Sequence, residues 1–201
     1  MESNLLTQFR NYISPGLISS FSKKYEESDI LLKKSFDAAL STILIGLYNR
    51  IDEVNLLQNV LKSIENSEFY NDIKFEKEVP LLINNSFLIE GHQPLSILFL
   101  NKKARLSEMI SNEVGIKSET AFAVFNLSVM FILSYFRNKN IKSVDLQKNL
   151  EDQKNEILKK IPQGIRVILG YSQFESIEES TKISFGTSLN QFLFSLKGNF
   201  I

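Results

Sequence analysis

The chain has 201 residues, of which 43% are apolar, including 16 phenylalanines, and it contains no cysteine. This composition is ample for a packed interior, and it excludes disulfides, thiolate catalysis and cysteine-ligated metal sites. Basic and acidic residues number 23 each, so the neutral chain lacks the basic excess typical of nucleic-acid-binding proteins.

Residues 5–25 predict two short helices separated by a capping signal. Apolar residues at helical spacing run from Leu5 to Ile13 and stop before Ser14-Pro15. We expect Ser14 to cap the second helix and Pro15 to occupy its first position, where the missing N–H costs nothing.

A long helix is predicted over residues 30–50, with Asp29 as its cap. Lys33, Lys34 and Asp37 should mark its solvent-exposed side, so this helix is expected to be one-sided. A fourth helix should open at Asp52 or Glu53 and run to Ile64.

The second half of the chain predicts the same order of helices. A short apolar stretch covers 94–100, and the helix after it, 105–114, should be closed by Gly115 in a left-handed conformation. Ser118 is expected to cap a long helix reaching residue 138. A last long helix should begin at Ser143 or Asp145 and end before Pro162, and a brief apolar helix follows over 164–170.

Residues 5–61 align with residues 94–150 at a constant spacing of 89 without a gap. Ten of the 57 aligned pairs are identical: Leu6/Leu95, Leu17/Leu106, Ser22/Ser111, Phe36/Phe125, Ile43/Ile132, Leu44/Leu133, Asn49/Asn138, Leu57/Leu146, Gln58/Gln147 and Leu61/Leu150. The alignment predicts an all-α fold of eight to ten helices in two pseudo-symmetric units, about 5–65 and 94–160, around two long apolar helices. The duplicated domain should span 1–170.

Two segments stand outside this pattern. Residues 66–92 are apolar enough to be ordered, and a short strand is possible there. Residues 171–182 look like a polar linker. The apolar segment 183–201 could dock on the core or contact another chain.

The start of the chain lacks a basic segment followed by an apolar run, which predicts that it is no secretory leader. Residues 120–136 form an uncharged run of 17 residues. A transmembrane helix needs about 20, and the counterpart of this run carries Lys33, Lys34 and Asp37. We therefore expect a buried helix, no transmembrane span and a cytoplasmic protein.

Three runs carry a family resemblance: 91–99 (GHQPLSILF), 106–118 with LSEMIS and GIKS, and 161–170 with IPQGI and a final LG. Together with the long apolar helix they resemble the YidB-like family of bacterial helical proteins, whose function is uncharacterised. The resemblance covers about 5–170 and departs from the family pattern at Ser96 and Leu100, where the family favours glycine. It implies an all-α fold and bacterial origin, and it transfers no catalytic residue.

Candidate catalytic groups are sparse. His92 is the single histidine, so no histidine cluster can hold a metal, and a turn residue before a helix is the favoured interpretation. The adjacent carboxylate pairs are Glu26/Glu27, Asp52/Glu53, Glu151/Asp152 and Glu178/Glu179. Neighbours on a helix point about 100° apart and do not share a site. The sequence therefore predicts no catalytic, cofactor-binding or metal-binding residue, and no cofactor.

Two binding features remain open. Basic residues concentrate at Lys102-Lys103 with Arg105, at Lys159-Lys160, and at two pairs in the first unit, Lys23-Lys24 and Lys33-Lys34. They could meet an anionic lipid or an acidic partner, although a solvated helix face is favoured. Aromatic side chains surround the helix 118–138, which favours core packing. The alternative is an apolar cavity near Phe122, Phe131 and Tyr135.

The sequence thus favours a non-catalytic protein-interaction or scaffold module, with a protein partner or self-association through 183–201. The alternative is a binding protein for an apolar small molecule or lipid. An enzyme is disfavoured, because no residue pattern names a nucleophile, a base or a cofactor.

Overall fold

The computed structural model describes residues 4–69 and 86–171. This part of the chain contains helices and no strand, which confirms the all-α prediction for these residues. The possible strand in 66–92 falls mainly on residues 70–85, and the linker and apolar tail fall on 172–201; these lie outside the described residues. The helices are α1 (Leu5–Asn11), α2 (Pro15–Tyr25), α3 (Asp29–Arg50), α4 (Leu56–Lys62), α5 (Ser86–Glu90), α6 (His92–Phe99), a 3-10 turn (Leu100–Lys102), α7 (Lys103–Val114), α8 (Ser118–Asn138), α9 (Ser143–Leu158) and α10 (Gln163–Leu169).

The centre of the fold is formed by α3 and α8, which pack against each other. Around them, α1, α2, α9 and α10 contact α3, α4 and α5 contact α8, and α6 and α7 contact both. A Cβ atom added to Gly46 would lie 2.4 Å from Cε1 of Phe99, so glycine lets α3 approach α6 closely.

Both long helices are enclosed on nearly every side. In α8 the residues from Thr120 to Phe136 are buried except Phe122. The expected solvent-exposed side of α3 is confined to its first turns, at Lys33, Lys34 and the half-exposed Asp37, whereas every residue from 38 to 47 is buried. The prediction that α3 is one-sided is therefore wrong for its second half, because α9 and α10 cover the remaining face.

Among the described residues, α8 is the helix long and apolar enough to cross a membrane by length and composition. Its mean hydropathy is 1.5 over the most apolar window, and 89% of that window is buried inside the fold. The core helix of a soluble protein has the same character.

Several helix ends follow their local signals. The hydroxyl of Ser14 accepts a hydrogen bond from the N–H of Leu17 at 3.1 Å, as expected for a cap before Pro15. Gly115 ends α7 with a φ of 80°, a left-handed conformation that suits glycine.

The predicted cap of α3 is wrong by one residue. Ser28, not Asp29, stands at the N-cap, and its hydroxyl accepts a hydrogen bond from the N–H of Leu31 at 3.3 Å. Asp29 is the first helical residue, where its negative charge interacts favourably with the positive end of the helix dipole.

The predicted cap of α8 is also wrong. Lys117 occupies the N-cap position without a side-chain cap, and Ser118 is the first helical residue. Glu27 instead accepts hydrogen bonds from the N–H of Lys117 at 2.7 Å and from the hydroxyl of Thr120 at 3.2 Å. The cap comes from a residue 90 positions away, so no local pattern could indicate it.

The fourth helix begins later than expected. Asn55, with a φ of 61°, precedes α4, which starts at Leu56. Glu53 is bound by the guanidinium of Arg50 through two contacts of 2.6 Å, and Asp52 accepts a hydrogen bond from Gln147 at 2.7 Å. These contacts hold both carboxylates in the turn between α3 and α4, so neither opens a helix.

Candidate functional site

The adjacent carboxylates do not converge on a common point. Glu26 pairs with the amine of Lys117 at 3.2 Å, while its neighbour Glu27 caps α8. Glu151 accepts a hydrogen bond from the hydroxyl of Tyr48. Across residues 4–69 and 86–171, no three histidine, aspartate or glutamate side chains gather as a possible metal site. Glu178 and Glu179 lie outside the described residues.

The best-formed candidate site is a groove of about 490 Å³ bounded by α6, α7 and α8. We call it the α8 groove. Its lining combines apolar, hydroxyl, amide and charged side chains: His92, Leu95, Lys103, Ala104, Ser107, Glu108, Ser118, Phe122, Phe125 and Asn126. A volume of this size is within the range of small-molecule sites, which are typically about 300–1,000 Å³.

The floor of the α8 groove is aromatic. Phe122 is 38% exposed, whereas Phe125 and Leu95 are buried and continue into the core. The ring of Phe125 lies 5.5 Å from that of Phe99, which fixes its position. An apolar ligand group resting here would cover the exposed face of Phe122.

Of the three aromatic residues expected to line a cavity, only Phe122 lies in the α8 groove. Phe122 lines the groove, but Phe131 is fully buried and packs on Phe69 at 5.6 Å between ring centres. Tyr135 packs on Phe9 at 5.3 Å in another part of the core. Phe122 lies on the opposite side of α8 from Phe131 and Tyr135, and Tyr135 lies about one turn beyond Phe131, so the three rings meet different neighbours.

Lys103 brings a cation to the edge of the groove. Its amine is half-buried and donates a hydrogen bond to the hydroxyl of Ser96 at 3.0 Å. Burial lowers the pKa of the Lys103 amine, because the charged form loses water. Of the three basic residues concentrated at 102–105, Lys103 lines the groove, while Lys102 and Arg105 are exposed.

Asn126 contributes a buried polar group whose hydrogen bonds are incomplete. The residue is 1% exposed, and its amide nitrogen donates to the carbonyl oxygen of Phe122 at 2.7 Å. Its Oδ1 atom has no hydrogen-bond partner among the described protein atoms. A buried acceptor without a donor typically costs about 1–3 kcal/mol. The hydroxyls of Ser41, Ser128 and Ser134 are also buried without a partner among the described atoms.

Gly91 allows α6 to start close to Asn126. A Cβ atom at position 91 would lie 2.7 Å from the backbone oxygen of Asn126, too close for any other residue without a shift. This approach places His92, the exposed first residue of α6, at the mouth of the groove. The sequence singled out His92 only as a turn residue.

Sequence reasoning did not identify Asn126 as a site residue. The available signal was its position as an amide inside the uncharged run 120–136. An asparagine in such a run also occurs as a core residue with complete hydrogen bonds, and only the fold shows that Oδ1 of Asn126 has no donor among the described atoms.

A second groove of about 790 Å³ lies between α4, α5 and α6. Its carboxylate, Glu90, already accepts hydrogen bonds from the hydroxyl of Ser67 at 2.5 Å and from the N–H of Glu68 at 3.1 Å. Glu90 is thus engaged in holding the chain after α4, which makes this groove the weaker candidate.

Polar side chains also gather where α3 ends beside α9. The hydroxyl of Tyr48 donates to Glu151, and the amine of Lys154 lies 4.9 Å from the centre of the Tyr48 ring. The hydrogen bond to Glu151, and then burial, raise the pKa of Tyr48 to about 12. These groups lie at the surface and contact one another, and no apolar groove surrounds them among the described residues.

Comparison of the chain with protein-family models found no matching family. Comparisons with curated proteins and with solved structures likewise found no match. The function must therefore be argued from the geometry of the chain itself.

Proposed function

We propose that this chain is a non-catalytic binding protein whose α8 groove holds a small amphipathic molecule. The observation that carries the proposal is the combination, in one groove, of an exposed aromatic ring, Phe122, with the half-buried amine of Lys103. Sites for small molecules typically join an apolar lining to a few placed polar groups.

Lys103 supports an anionic group on that molecule. The half-buried amine has one hydrogen-bond acceptor in the fold, the hydroxyl of Ser96, and can donate further. A carboxylate placed beside it would offset the loss of hydration of the cation.

The proposal that the chain is not an enzyme rests on the hydrogen bonds that its acidic side chains make within the fold. Glu27, Glu53 and Glu151 each hold a structural partner, and Glu108 in the groove is exposed. General acid–base catalysis uses carboxylates whose environment shifts their pKa values toward the working pH.

A duplication of one helical unit is part of the same proposal. Ser22 donates to the backbone oxygen of Glu27 at 2.7 Å, and Ser111, 89 positions later, donates to that of Ile116 at 2.6 Å. The residues that end α2 and α7, Glu26 and Gly115, have the same spacing and are both left-handed. These paired details support two pseudo-symmetric units around α3 and α8.

The other sequence-based expectations stay as proposals. These are the YidB-like resemblance, bacterial origin, cytoplasmic location and absence of a transmembrane span. A protein-interaction or scaffold module remains the alternative function, but its main support, the segment 183–201, lies outside the described residues.

The test of the proposed function uses Phe122→Lys, because the counterpart of Phe122 in the first unit is Lys33. Octanoate and 3-phenylpropionate should bind the unmodified protein, with shifts of amide NMR signals from α6, α7 and α8. The lysine should weaken this binding at least about tenfold, since it removes the apolar floor.

Val144→Lys is the matched control, since Val144 is 76% exposed and does not line the groove. It should leave binding unchanged. Absence of binding to the unmodified protein, or equal loss in both variants, would overturn the proposal.

A further inference from the structure

A leucine in the turn between α6 and α7 is exposed while its backbone is strained. Leu100 is 62% exposed, and its φ of 52° with a ψ of −128° is a conformation that residues other than glycine rarely adopt. Its N–H donates to the carbonyl oxygen of Ser96, which holds the turn in place. Burial of the leucine side chain does not offset the strain, and residues of this kind commonly act in contacts outside the fold.

The exposed charges around Leu100 are positive. Lys102 and Arg105 are exposed and lie three residues apart, which makes them neighbours on a helical surface. Neither forms an ion pair with another described residue. The sequence contains no acidic residue from 91 to 107. We call residues 100–105 the basic turn.

The carboxylates closest to the basic turn do not cancel its charge. The guanidinium of Arg50 donates to the backbone oxygens of Ile97 and Leu98 at 2.5 and 2.7 Å. The same guanidinium binds Glu53 through two contacts of 2.6 Å, so this acid is already neutralised. Glu108, which is exposed one helical turn further on, is set against three bases within 102–105.

Other exposed apolar side chains have a different electrostatic setting. Four of them, between 69% and 87% exposed, each have an acidic residue next to them in sequence: Ile30, Val54, Ile89 and Val144. A negatively charged lipid surface repels such acids, whereas it attracts the cations of the basic turn.

We propose that the basic turn docks on the surface of an anionic lipid bilayer. The side chain of Leu100 enters the boundary between headgroups and acyl chains, and Lys102 and Arg105 contact lipid phosphates. Leu100 lines neither of the two grooves, and a fluid bilayer accepts an apolar side chain without a pocket of matching shape. An anionic bilayer therefore suits this turn better than an acidic protein does.

Docking in this way also brings the α8 groove to the lipid. Lys103 and Ala104 belong to the basic turn and line that groove. The contact itself does not depend on the ligand proposed for the groove.

Co-sedimentation of the 201-residue chain with vesicles tests the contact. Vesicles of phosphatidylglycerol and phosphatidylcholine in equal parts should bind the protein at low salt, and vesicles of phosphatidylcholine alone should not. Replacing Lys102 and Arg105 by glutamine should lower the partition coefficient about fivefold for each charge removed. Added salt should weaken binding of the unmodified protein, because it screens exposed charges.

Leu100→Ser should lower the partition coefficient roughly tenfold, because no apolar side chain then enters the bilayer. The matched control is Ile30→Ser. Ile30 is 69% exposed and lies at the opposite end of α3 from Arg50, so its replacement should leave vesicle binding unchanged.

Leu100→Gly separates vesicle binding from folding. Glycine adopts a φ of 52° without strain, so the melting temperature should stay the same or rise while vesicle binding falls as in Leu100→Ser. A lower melting temperature with unchanged vesicle binding would show instead that Leu100 serves the fold.

Three results would refute the docking proposal. They are no binding to the anionic vesicles, equal binding to both kinds of vesicle, and equal losses for Leu100→Ser and Ile30→Ser. Binding to poly-L-glutamate without binding to vesicles would assign the basic turn to an acidic protein partner instead. Vesicle binding and octanoate binding are separate measurements, so docking can fail while the proposed function stands.

Discussion

At the scale of single residues, the same amino-acid types have different roles according to their neighbours. Asp37 is fully engaged by Arg10, whereas Asn126 at the matching position has an acceptor left over. Lys103 is half-buried in the groove, but its neighbour Lys102 is solvated. The hydroxyls of Ser41, Ser128 and Ser134 are also buried without a partner among the described atoms, so such an atom does not by itself mark a ligand contact.

Tyr48 gives a prediction for alkaline pH. Its pKa is raised from 10.0 to about 12, first by the hydrogen bond to Glu151. Because the folded pKa lies above the unfolded value, the contribution of this group is complete below pH 10 and is lost as the pH rises through about 12. Tyr48→Phe should remove a phenol that titrates near pH 12 in an ultraviolet absorbance titration.

Glu151→Gln is the companion variant for Tyr48. It removes the negative charge while keeping an acceptor, so the pKa of Tyr48 should fall toward its ordinary value. An unchanged titration curve in both variants would show that the hydrogen bond between these two side chains does not form in solution.

At the scale of helices, the caps show where local signals end. The hydroxyl of Ser14 caps α2 by accepting a hydrogen bond from the N–H of Leu17, three residues later. This local arrangement can be read directly from the sequence. Glu27 reaches the start of α8 from the turn after α2, 90 positions earlier in the sequence. Helix positions were therefore predictable, but the group that stabilises a given helix end was not.

Glu27→Ala should lower the free energy of unfolding by about 1 kcal/mol, because the N–H of Lys117, just before α8, and the hydroxyl of Thr120 lose their acceptor. Ser118→Ala should have almost no effect, since Ser118 does not cap the helix. Urea denaturation of both variants provides the measurement. A larger loss for Ser118→Ala than for Glu27→Ala would restore the cap expected from the sequence.

At the scale of the whole molecule, α3 and α8 support each other and every other helix is arranged around them. Leu44 and Leu133 are 0% exposed and occupy matching positions in the two helices. Substitution of a buried leucine by alanine removes its contacts and leaves a cavity.

Leu44→Ala and Leu133→Ala should each destabilise the protein by roughly 2–5 kcal/mol. Val144→Ala, at a residue 76% exposed, is the matched control and should change stability by less than about 0.5 kcal/mol. Chemical denaturation measures all three. Near-zero effects at both leucines would contradict a core centred on α3 and α8.

The sequence by itself determined the all-α class and, except for α5, the approximate positions of the helices among the described residues. These features depend on apolar spacing and on residues such as Ser14 and Gly115, whose effects reach only a few positions along the chain. Tertiary structure alone decided that α3 is enclosed, that Glu27 caps α8, and that Asn126 keeps a free acceptor beside Phe122. Burial, a distant cap and a missing donor all depend on residues that are far apart in sequence and meet only when the helices pack.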